Sequence, residues 1–522
     1  MRTLALLFLL AAPPVQAATF LVDTTNDSGD AAHQGCDSAP GNADCSLRGA
    51  LIRAQTSPAP NTIEFAIPVS DPGFVAATAH WRFAPATEFP FVTSDLTIDG
   101  YSQVGAVANT NTPDEGGSNA ILKIEIRGPG PIAGNAGLRV TNSTAALTLR
   151  GIAVNRFQVN LALDSPGAHR VEGCFIGTDI TGAIAAETSI GTGFGIRSGG
   201  PAFIGGTTPA ARNVISGNPY IGISNNNGAA LSIEGNLIGT NAAGTAALPG
   251  QDFGIYVTVS GTGGNVGGPT PAARNVISGN DFSAIYLIAQ VAGANPQPLR
   301  IRGNFIGTDV SGLQPIANGG SPAQGFPTIN IGGAGPCGAE IGGSDAGDGN
   351  LIAYGRAAGV QINTCSAARV IGNRFTLNRG IGIDLSASSN ADGATANDPG
   401  DADGNPPAGG GFHVSSNRFQ NHPEIISLVR AGGTYTLTYR VDTEVANATY
   451  PLRIDIARGR QGQAEVPVAI DTYLAIDAGL PRSTTFPAAA LDGGGALVLS
   501  ATDAVGNTSE FGGDHLFATG FD

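Results

Sequence analysis

Charge is scarce in this sequence, and lysine is scarcest of all. Charged residues make up 13% of 522 residues, Lys123 is the only lysine, and the net charge is −15. A nucleic-acid-binding protein needs a basic face that displaces counterions from phosphates, and an anionic membrane attracts the same kind of face. The charge balance therefore argues against both partners, whereas an acidic surface suits divalent cations.

Long apolar runs are missing too. The chain begins with Arg2, an apolar stretch at residues 4–12 and small residues at 15–17. This stretch is well short of the roughly 18–20 residues that span a bilayer, so residues 1–17 are predicted to be a secretory signal peptide. No later segment is long and apolar enough to insert. We expect a secreted protein, extracellular or at the cell surface, whose mature chain starts near Ala18.

Five cysteines in an exported chain predict disulfide bonds. Cys36 and Cys45 flank a short polar loop, and Cys337 and Cys365 lie about one coil apart in the repeat region described below. We therefore expect these two pairs to be bonded. Cys174 is left over, and a small buried apolar residue is its expected role.

Glycine and proline are abundant. There are 77 glycines and 33 prolines, and hydrophobic residues still make up 42% of the chain. This composition predicts many short strands joined by tight turns, and the length predicts more than one structural unit.

Internal repeats are the strongest signal. Residues 173–179 (GCFIGTD) recur as 235–241 and 303–309, with 62 and then 68 residues between copies, and residues 208–218 recur at 270–280. A fixed period with β-branched contents predicts a parallel β-solenoid, in which each unit buries its apolar face on its neighbours. The 62-residue unit is too long for one coil of about twenty-odd residues, so it is interpreted as two coils with loops.

Repeated asparagines are expected to be structural. An asparagine at a turn tolerates left-handed backbone geometry and can pass amide hydrogen bonds to the equivalent residue one coil away. The sequence predicts such a column, with these ladder positions: Asn213, Asn236, Asn275, Asn304 and Asn350.

The first part of the chain resembles a known family. Residues 45–48 (CSLR) open an amphipathic helix predicted at 46–55, and residues 62–65 (TIEF) and 97–103 (TIDGYSQ) follow. These motifs are similar to bacterial extracellular proteins of the CSLREA-domain family. The resemblance implies a right-handed parallel β-helix with a helical lid on its first coil, and it brings no established catalytic residues. Gly49 stands where the family has Glu, which predicts a looser lid, since glycine costs roughly 1 kcal/mol in a helix.

The all-β architecture predicted for the whole chain is this β-helix with an N-terminal helical cap and a C-terminal β-sandwich-like domain. Strand-like runs at 433–439 and 496–503 resemble bacterial Ig-like domains. The predicted divisions are a signal peptide (1–17), a cap with the first coils (18–130), the repeats (131–390), an acidic loop (391–423), an Ig-like sandwich (424–512) and a tail (513–522).

The acidic loop is a candidate calcium site. Its side chains offer hard oxygen ligands between glycine and proline, as Ca²⁺ prefers, although the spacing does not match an EF-hand. An ordinary solvated loop is the alternative. The candidate ligands are Asp392, Asn397, Asp398, Asp401 and Asp403.

Two classes of function stay open. One is an adhesin-like or glycan-binding surface protein, in which tyrosines near coil faces stack on sugars, although core packing is the favoured role for most of them; the four are Tyr220, Tyr256, Tyr286 and Tyr354. The alternative is a polysaccharide lyase or glycoside hydrolase acting on acidic polysaccharide, which needs unrepeated acids or bases grouped on neighbouring coils. The carboxylates of the central repeats outside the Asp179/Asp309 slot are Glu172, Glu187, Glu234, Asp252 and Asp281. No catalytic residue is assigned, and the oligomeric state stays open.

Overall fold

A computed structural model gives the fold of most of the chain. The described residues are 17–36, 42–130, 134–141, 144–187, 192–226, 228–290, 297–320, 325–333, 335–386, 393–402, 416–492 and 494–512. Residues 1–16 of the predicted signal peptide and the predicted tail at 513–522 lie outside them.

Three long sheets run side by side through residues 19–386, and each turn of the chain adds one strand to each sheet. In the described residues, sheets 1, 2 and 3 contain eleven, eleven and nine strands. All pairs are parallel except the first pair of sheet 2, which is antiparallel. The chain is therefore an all-β parallel solenoid, as predicted.

Strands are numbered in chain order. Sheet 1 consists of β1 (Thr19–Val22), β2 (Asn61–Phe65), β5 (Leu96–Asp99), β8 (Leu147–Arg150), β11 (His169–Glu172), β14 (Ala202–Gly205), β17 (Leu231–Glu234), β20 (Thr262–Gly267), β23 (Gln297–Arg302), β26 (Ala339–Gly342) and β29 (Arg369–Ile371). Sheet 2 consists of β3 (Phe74–Val75), β4 (His80–Phe83), β6 (Ile124–Arg127), β9 (Ile152–Asn155), β12 (Phe175–Ile176), β15 (Val214–Ile215), β18 (Leu237–Ile238), β21 (Val276–Ile277), β24 (Phe305–Ile306), β27 (Leu351–Ala353) and β30 (Arg374–Thr376).

Sheet 3 consists of β7 (Ala136–Val140), β10 (Val159–Leu163), β13 (Phe194–Ser198), β16 (Ile221–Asn225), β19 (Phe253–Val259), β22 (Ile285–Ala289), β25 (Ile329–Gly333), β28 (Val360–Asn363) and β31 (Ile383–Ser386). Short 3-10 turns lie at Ala31–His33, Gly100–Ser102, Pro209–Ala211, Pro271–Ala273, Pro399–Asp401, Ser416–Phe419, Ala475–Asp477 and Ala488–Leu491.

The 62-residue repeat spans two coils. Its first copy begins after β11 and its second after β17, and β14 pairs with both of these strands. Inward side chains stack in register from coil to coil, which gives a continuous apolar core. One such buried column in sheet 1 contains Ile63, Ile98, Leu149, Val171, Ile204, Ile233, Val266, Ile301, Ile341 and Val370.

One α-helix, α1 (Leu47–Thr56), packs against β1 and β2 at the start of the solenoid. The Ser46 side chain caps it by accepting a hydrogen bond from the Gly49 amide at 2.9 Å. Leu47, Ala50 and Leu51 are buried against the first coil. The described helices include none with the length and apolar composition of a membrane span.

The predicted asparagine column is present and is longer than expected. Each side-chain amide donates to the side-chain oxygen of the next member, at 2.8 to 3.0 Å. The members are Asn213, Asn236, Asn275, Asn304, Asn350 and Asn373. All are buried, so this first ladder pairs polar groups that would otherwise be costly to bury.

Two antiparallel sheets form a C-terminal module over residues 424–502. One contains β32 (Glu424–Ala431), β33 (Thr434–Arg440) and β36 (Arg482–Pro487), and the other β34 (Leu452–Arg460), β35 (Gln463–Tyr473) and β37 (Ala496–Thr502). They share a separate core that includes Tyr439, Ile454 and Tyr473.

Both predicted disulfides are present. Cys36 is bonded to Cys45, and Cys337 is bonded to Cys365, which joins the coils of β26 and β29. Cys174 is free and buried, and burial raises the pKa of its thiol to about 12, so it is a core residue rather than a nucleophile.

Candidate functional site

The candidate site lies along one edge of the solenoid, where each strand of sheet 2 turns into the next strand of sheet 3. We call this the 2–3 edge. A second amide ladder holds its turns, with donor–acceptor distances of 2.9 to 3.0 Å. Its members are Asn160, Asn218, Gln251, Asn280 and Asn318. The edge is therefore rigidly spaced from coil to coil.

Glycine is required beside this ladder. A Cβ on Gly254 would lie 2.6 Å from the Ala284 carbonyl oxygen, and a Cβ on Gly222 would lie 2.8 Å from the Gln251 amide nitrogen. Such contacts are too close to be tolerated, so the strands of sheet 3 begin with a residue that has no side chain. The bulky residue next to each of these glycines stays outside the core.

An aromatic row follows the ladder along the 2–3 edge. It consists of one ring on each of five successive coils, and each ring is half-buried: Phe194, Tyr220, Phe253, Phe282 and Phe326. Neighbouring ring centroids are 5.7, 5.9, 5.4 and 4.4 Å apart, mostly in edge-to-face contact. The row is a continuous aromatic surface in contact with solvent.

Two tyrosines widen this surface. Tyr256 and Tyr286 are register partners on the outer face of β19 and β22, and their rings are stacked at 5.0 Å with an interplanar angle of 10°. Both rings also contact Phe253, each at 5.5 Å. Packing in the core was the favoured role for these tyrosines, but they lie half-exposed on the outside. Tyr354 is half-exposed as well, and its hydroxyl donates to the Leu313 carbonyl.

Two carboxylates accompany the row. Asp252 and Asp281 directly precede Phe253 and Phe282, and the Phe282 amide donates to the Asp252 carbonyl oxygen, which places the two on neighbouring coils. Burial, and then the negative charge of Asp281, raise the pKa of Asp252 to about 6. Burial also raises the pKa of Asp281. Such a pair is able to hold a proton near neutral pH.

A recess lies beside the C-terminal end of the row. It has a volume of about 380 Å³, and its lining includes Asp281, Phe282, Phe326 and Arg356. It combines an aromatic wall with a carboxylate and a guanidinium group. This mixture of apolar and polar groups is typical of a site that orients a polar ligand by a few hydrogen bonds.

The predicted calcium ligands lie elsewhere, between the solenoid and the C-terminal module. Asp392 and Asp403 fall outside the described residues. Asp401 accepts hydrogen bonds from Gln420 and the Asn421 amide, and Asn397 is bonded to the backbone of His422. The Asp398 carboxylate accepts from the Ala402 amide. In the described ranges, no three histidine, cysteine or acidic side chains are grouped closely enough to hold a metal ion.

The phenylalanines of the row were not singled out from the sequence. A signal for them exists, because an aromatic residue stands two positions after a ladder amide in three turns: Asn218 and Tyr220, Gln251 and Phe253, Asn280 and Phe282. Recognising it requires knowledge of the second ladder. That ladder is hidden in the sequence because glutamine replaces asparagine in the middle member.

No protein-family model matches this sequence, and no curated protein matches it at a significant level. The functional assignment therefore rests on the geometry of the 2–3 edge.

Proposed function

We propose that this protein is a secreted glycan-binding protein and that the aromatic row is its binding surface. One observation carries the proposal: five half-buried rings lie in line on five successive coils of a rigid solenoid. The flat apolar face of a sugar ring packs on an aromatic ring, and the sugar hydroxyls stay in contact with water. A row of rings suits a chain of sugars better than a single small ligand.

The setting of the row supports this choice. The rings are separated by polar groups such as Asp252 and Asp281, so the surface is not the continuous apolar patch of an obligate protein interface. The repeat between coils is about 4.8 Å, the ordinary spacing of neighbouring strands. An extended glycan that lies along the solenoid axis therefore meets a new ring at almost every sugar.

A glycoside hydrolase is the second candidate. The carboxylates Asp252 and Asp281 on neighbouring coils support it, because hydrolases of this kind use two carboxyl groups, one of which keeps its proton near neutral pH. The raised pKa of Asp252 fits the role of that acid. A lyase lacks comparable support, since no basic residue stands beside this pair in the described part of the chain.

Several finer assignments belong with the proposal. The motifs at residues 45–48 and 97–103 support membership of the CSLREA-domain family, and with it a right-handed solenoid and an extracellular setting. The contacts of α1 with β1 and β2 support its role as a cap, and the two-sheet core of the C-terminal module supports an Ig-like domain. Calcium binding by the acidic loop stays a prediction.

Binding to a panel of glycans tests the proposal. Purified mature protein is sedimented with insoluble cellulose, xylan, chitin and polygalacturonate, with and without calcium, and affinity for soluble hexaoses is measured by calorimetry. The double variant Phe253→Ala/Phe282→Ala should weaken binding at least about tenfold, since it removes two central contacts. Phe203→Ala is the matched control, because that ring is exposed on sheet 1, away from the row.

Each outcome separates the candidates. Retention on a glycan that the double variant loses and the control keeps supports binding by the row. New reducing ends that disappear in Asp252→Asn and Asp281→Asn indicate the hydrolase instead. Equal retention of the double variant and the wild type would place the binding surface elsewhere.

A further inference from the structure

A recess lined by three arginines opens near the N-terminal end of the solenoid. Its volume is about 560 Å³, and Arg82, Arg127 and Arg156 contribute its charged groups. The remaining wall consists of small or rigid residues: Ala84, Pro85, Ala86, Gly128 and Pro129. Such a grouping is notable in a chain with a net charge of −15. The arginines come from three successive coils, in β4, in β6 and directly after β9.

A buried carboxylate fixes two of these arginines. Glu125 is 1% exposed, and its Oε2 lies 2.6 Å from Arg82 Nε and 3.1 Å from His80 Nε2, while its Oε1 lies 3.3 Å from Arg127 Nη1. Burial alone would raise the pKa of Glu125, but hydrogen bonds from His80, Asn155 and Arg82 outweigh it and hold that pKa at about 2. The network is therefore charged at every physiological pH, and the guanidinium groups are held in place before any ligand arrives.

The third arginine is held by its backbone. Arg156 has a φ of 63°, and its carbonyl oxygen accepts a hydrogen bond from the Gly130 amide. Its Nη2 lies 3.6 Å from a carboxylate oxygen of Glu187. Three guanidinium groups thus face two carboxylates, Glu125 and Glu187, which leaves one positive charge over. Each guanidinium has five N–H donors, so donors remain for a further oxyanion.

The arginine recess and the aromatic row belong to the same 2–3 edge. Arg127 and Arg156 lie where β6 and β9 turn towards sheet 3, and the row starts one coil later, where the Phe194 amide donates to the Gln158 carbonyl oxygen at 2.7 Å. From β6 to β24 there are six strand steps, or about 29 Å at about 4.8 Å per step. A single extended ligand is long enough to contact both.

We infer that the 2–3 edge binds a largely neutral glycan that carries one acidic sugar, with the carboxylate or sulfate of that sugar in the arginine recess and neutral sugars on the aromatic row. This inference rests on the proposed function and specifies its ligand. Guanidinium groups bind both kinds of oxyanion by paired N–H donors. The proline and alanine wall accommodates the apolar face of the acidic sugar.

The charges along the edge argue against a fully acidic polymer. Asp252 and Asp281 stand in the middle of the row and would repel a carboxylate on every sugar. At the recess itself, the nearby carboxylate of Asp27, which accepts from the Ala86 amide, is paired with Arg48. The edge is therefore complementary to an acidic group at its arginine end and to neutral sugars beyond it.

Calorimetry with matched oligosaccharides tests the inference. The probes are the neutral hexaoses of β-1,4-glucan and β-1,4-xylan, the same hexaoses with one terminal carboxylate or one sulfate, and hexagalacturonate. The singly charged probes should bind about tenfold more tightly than their neutral parents, because they add hydrogen bonds to charged donors. Comparison of the carboxylate and sulfate forms identifies the acidic group.

Arg156→Asn is the informative variant. Asparagine tolerates the left-handed backbone at this position, and the buried Glu125 keeps both of its other arginines, so the fold should persist. The variant should lose the tenfold gain for charged probes and keep the affinity for neutral ones. Arg170→Gln, which removes one exposed arginine from sheet 1, should change neither.

The inference and the proposed function fail in different ways. Equal affinity for neutral and singly charged hexaoses, unchanged in Arg156→Asn, would overturn the inference and leave glycan binding by the row intact. Tightest binding of hexagalacturonate would overturn it in favour of a polyanionic ligand. If no hexaose binds, both the proposed function and the inference fall.

Discussion

Asp252 is a carboxylate whose ionisation works against folding. Burial and the neighbouring Asp281 raise its pKa from 3.8 to about 6, so the folded protein holds this proton more tightly than the unfolded chain does. The resulting stability is fully present below about pH 4 and is lost as the pH rises through about 6. At neutral pH the ionised pair therefore costs free energy, as is common where function and stability compete.

Asp252→Asn should remove this cost. The neutral amide avoids the repulsion, so we expect the free energy of unfolding to rise by about 1 kcal/mol at pH 7, less than the full pKa shift implies because water screens the pair. At pH 4 the gain should vanish. Thermal unfolding at both pH values measures the difference. Asp345→Asn, on an exposed loop, should show the same small effect at both, and a gain at pH 4 equal to that at pH 7 would contradict the explanation.

Gly49 shows what a single sequence does not reveal at the scale of one residue. Its low helix propensity predicted a loose cap. In the structure, a Cβ on Gly49 would lie 1.8 Å from the His33 carbonyl oxygen, so glycine is what allows the chain before the helix to pack against it. The prediction of a looser lid treated the helix alone, whereas a contact with a segment 16 residues earlier decides the residue.

At the scale of elements, the C-terminal module acts as the continuation of the last coil. The Gln463 side-chain oxygen accepts from the amide nitrogen and the Nδ2 of Asn378, and its Nε2 donates to the Asn378 carbonyl oxygen. Asn507, Thr508 and Glu510 accept from backbone amides of the last coil at 2.8 to 2.9 Å. The module thus covers strand edges that would otherwise pair with another chain.

Gln463→Ala should loosen this junction. It leaves buried backbone and side-chain groups of Asn378 without their partner, at a cost of about 1–3 kcal/mol for an unpaired buried group. We expect earlier unfolding of the module and faster hydrogen exchange in β30, followed by mass spectrometry. Gln297→Ala, an exposed glutamine at the start of β23, is the control. Unchanged exchange in β30 would mean that the remaining contacts hold the junction alone.

Elements were predictable to the extent that they repeat. The parallel coils, the first asparagine ladder and both disulfide pairs follow from residues 62 or 68 apart and from cysteine spacing. The aromatic row was missed because its rings stand in turns of unequal length: five residues separate β15 from β16, but 22 separate β24 from β25. The calcium prediction used sequence proximity, whereas the structure engages Asp401 and Asn397 in protein hydrogen bonds.

At the scale of the whole molecule, one continuous core joins the helix, the coils and the first contacts of the module. It extends from Phe20 in β1 to Val498 in β37. Changes at one end are therefore transmitted only through neighbouring coils, and the middle of the solenoid is independent of its two ends.

This independence predicts that a repeat can be duplicated. A second copy of residues 208–269, inserted after residue 269, supplies two coils with members of both ladders, Asn213 and Asn236 in the first and Asn218 and Gln251 in the second. The longer protein should fold and melt near the temperature of the parent, as circular dichroism would measure. A duplicated block of 31 residues carries only one coil of a two-coil pattern and should fold poorly.

The two-coil period turns the solenoid into a yardstick marked in fixed divisions. Each added unit lengthens the row by about 10 Å, two steps of about 4.8 Å, and brings exactly two more rings, Tyr220 and Phe253, into line. Growth by recombination thus changes the number of sugars that fit without altering how any one of them is held. Length and chemistry of the ligand are then set by different parts of the same chain, and each can drift while the other stays fixed.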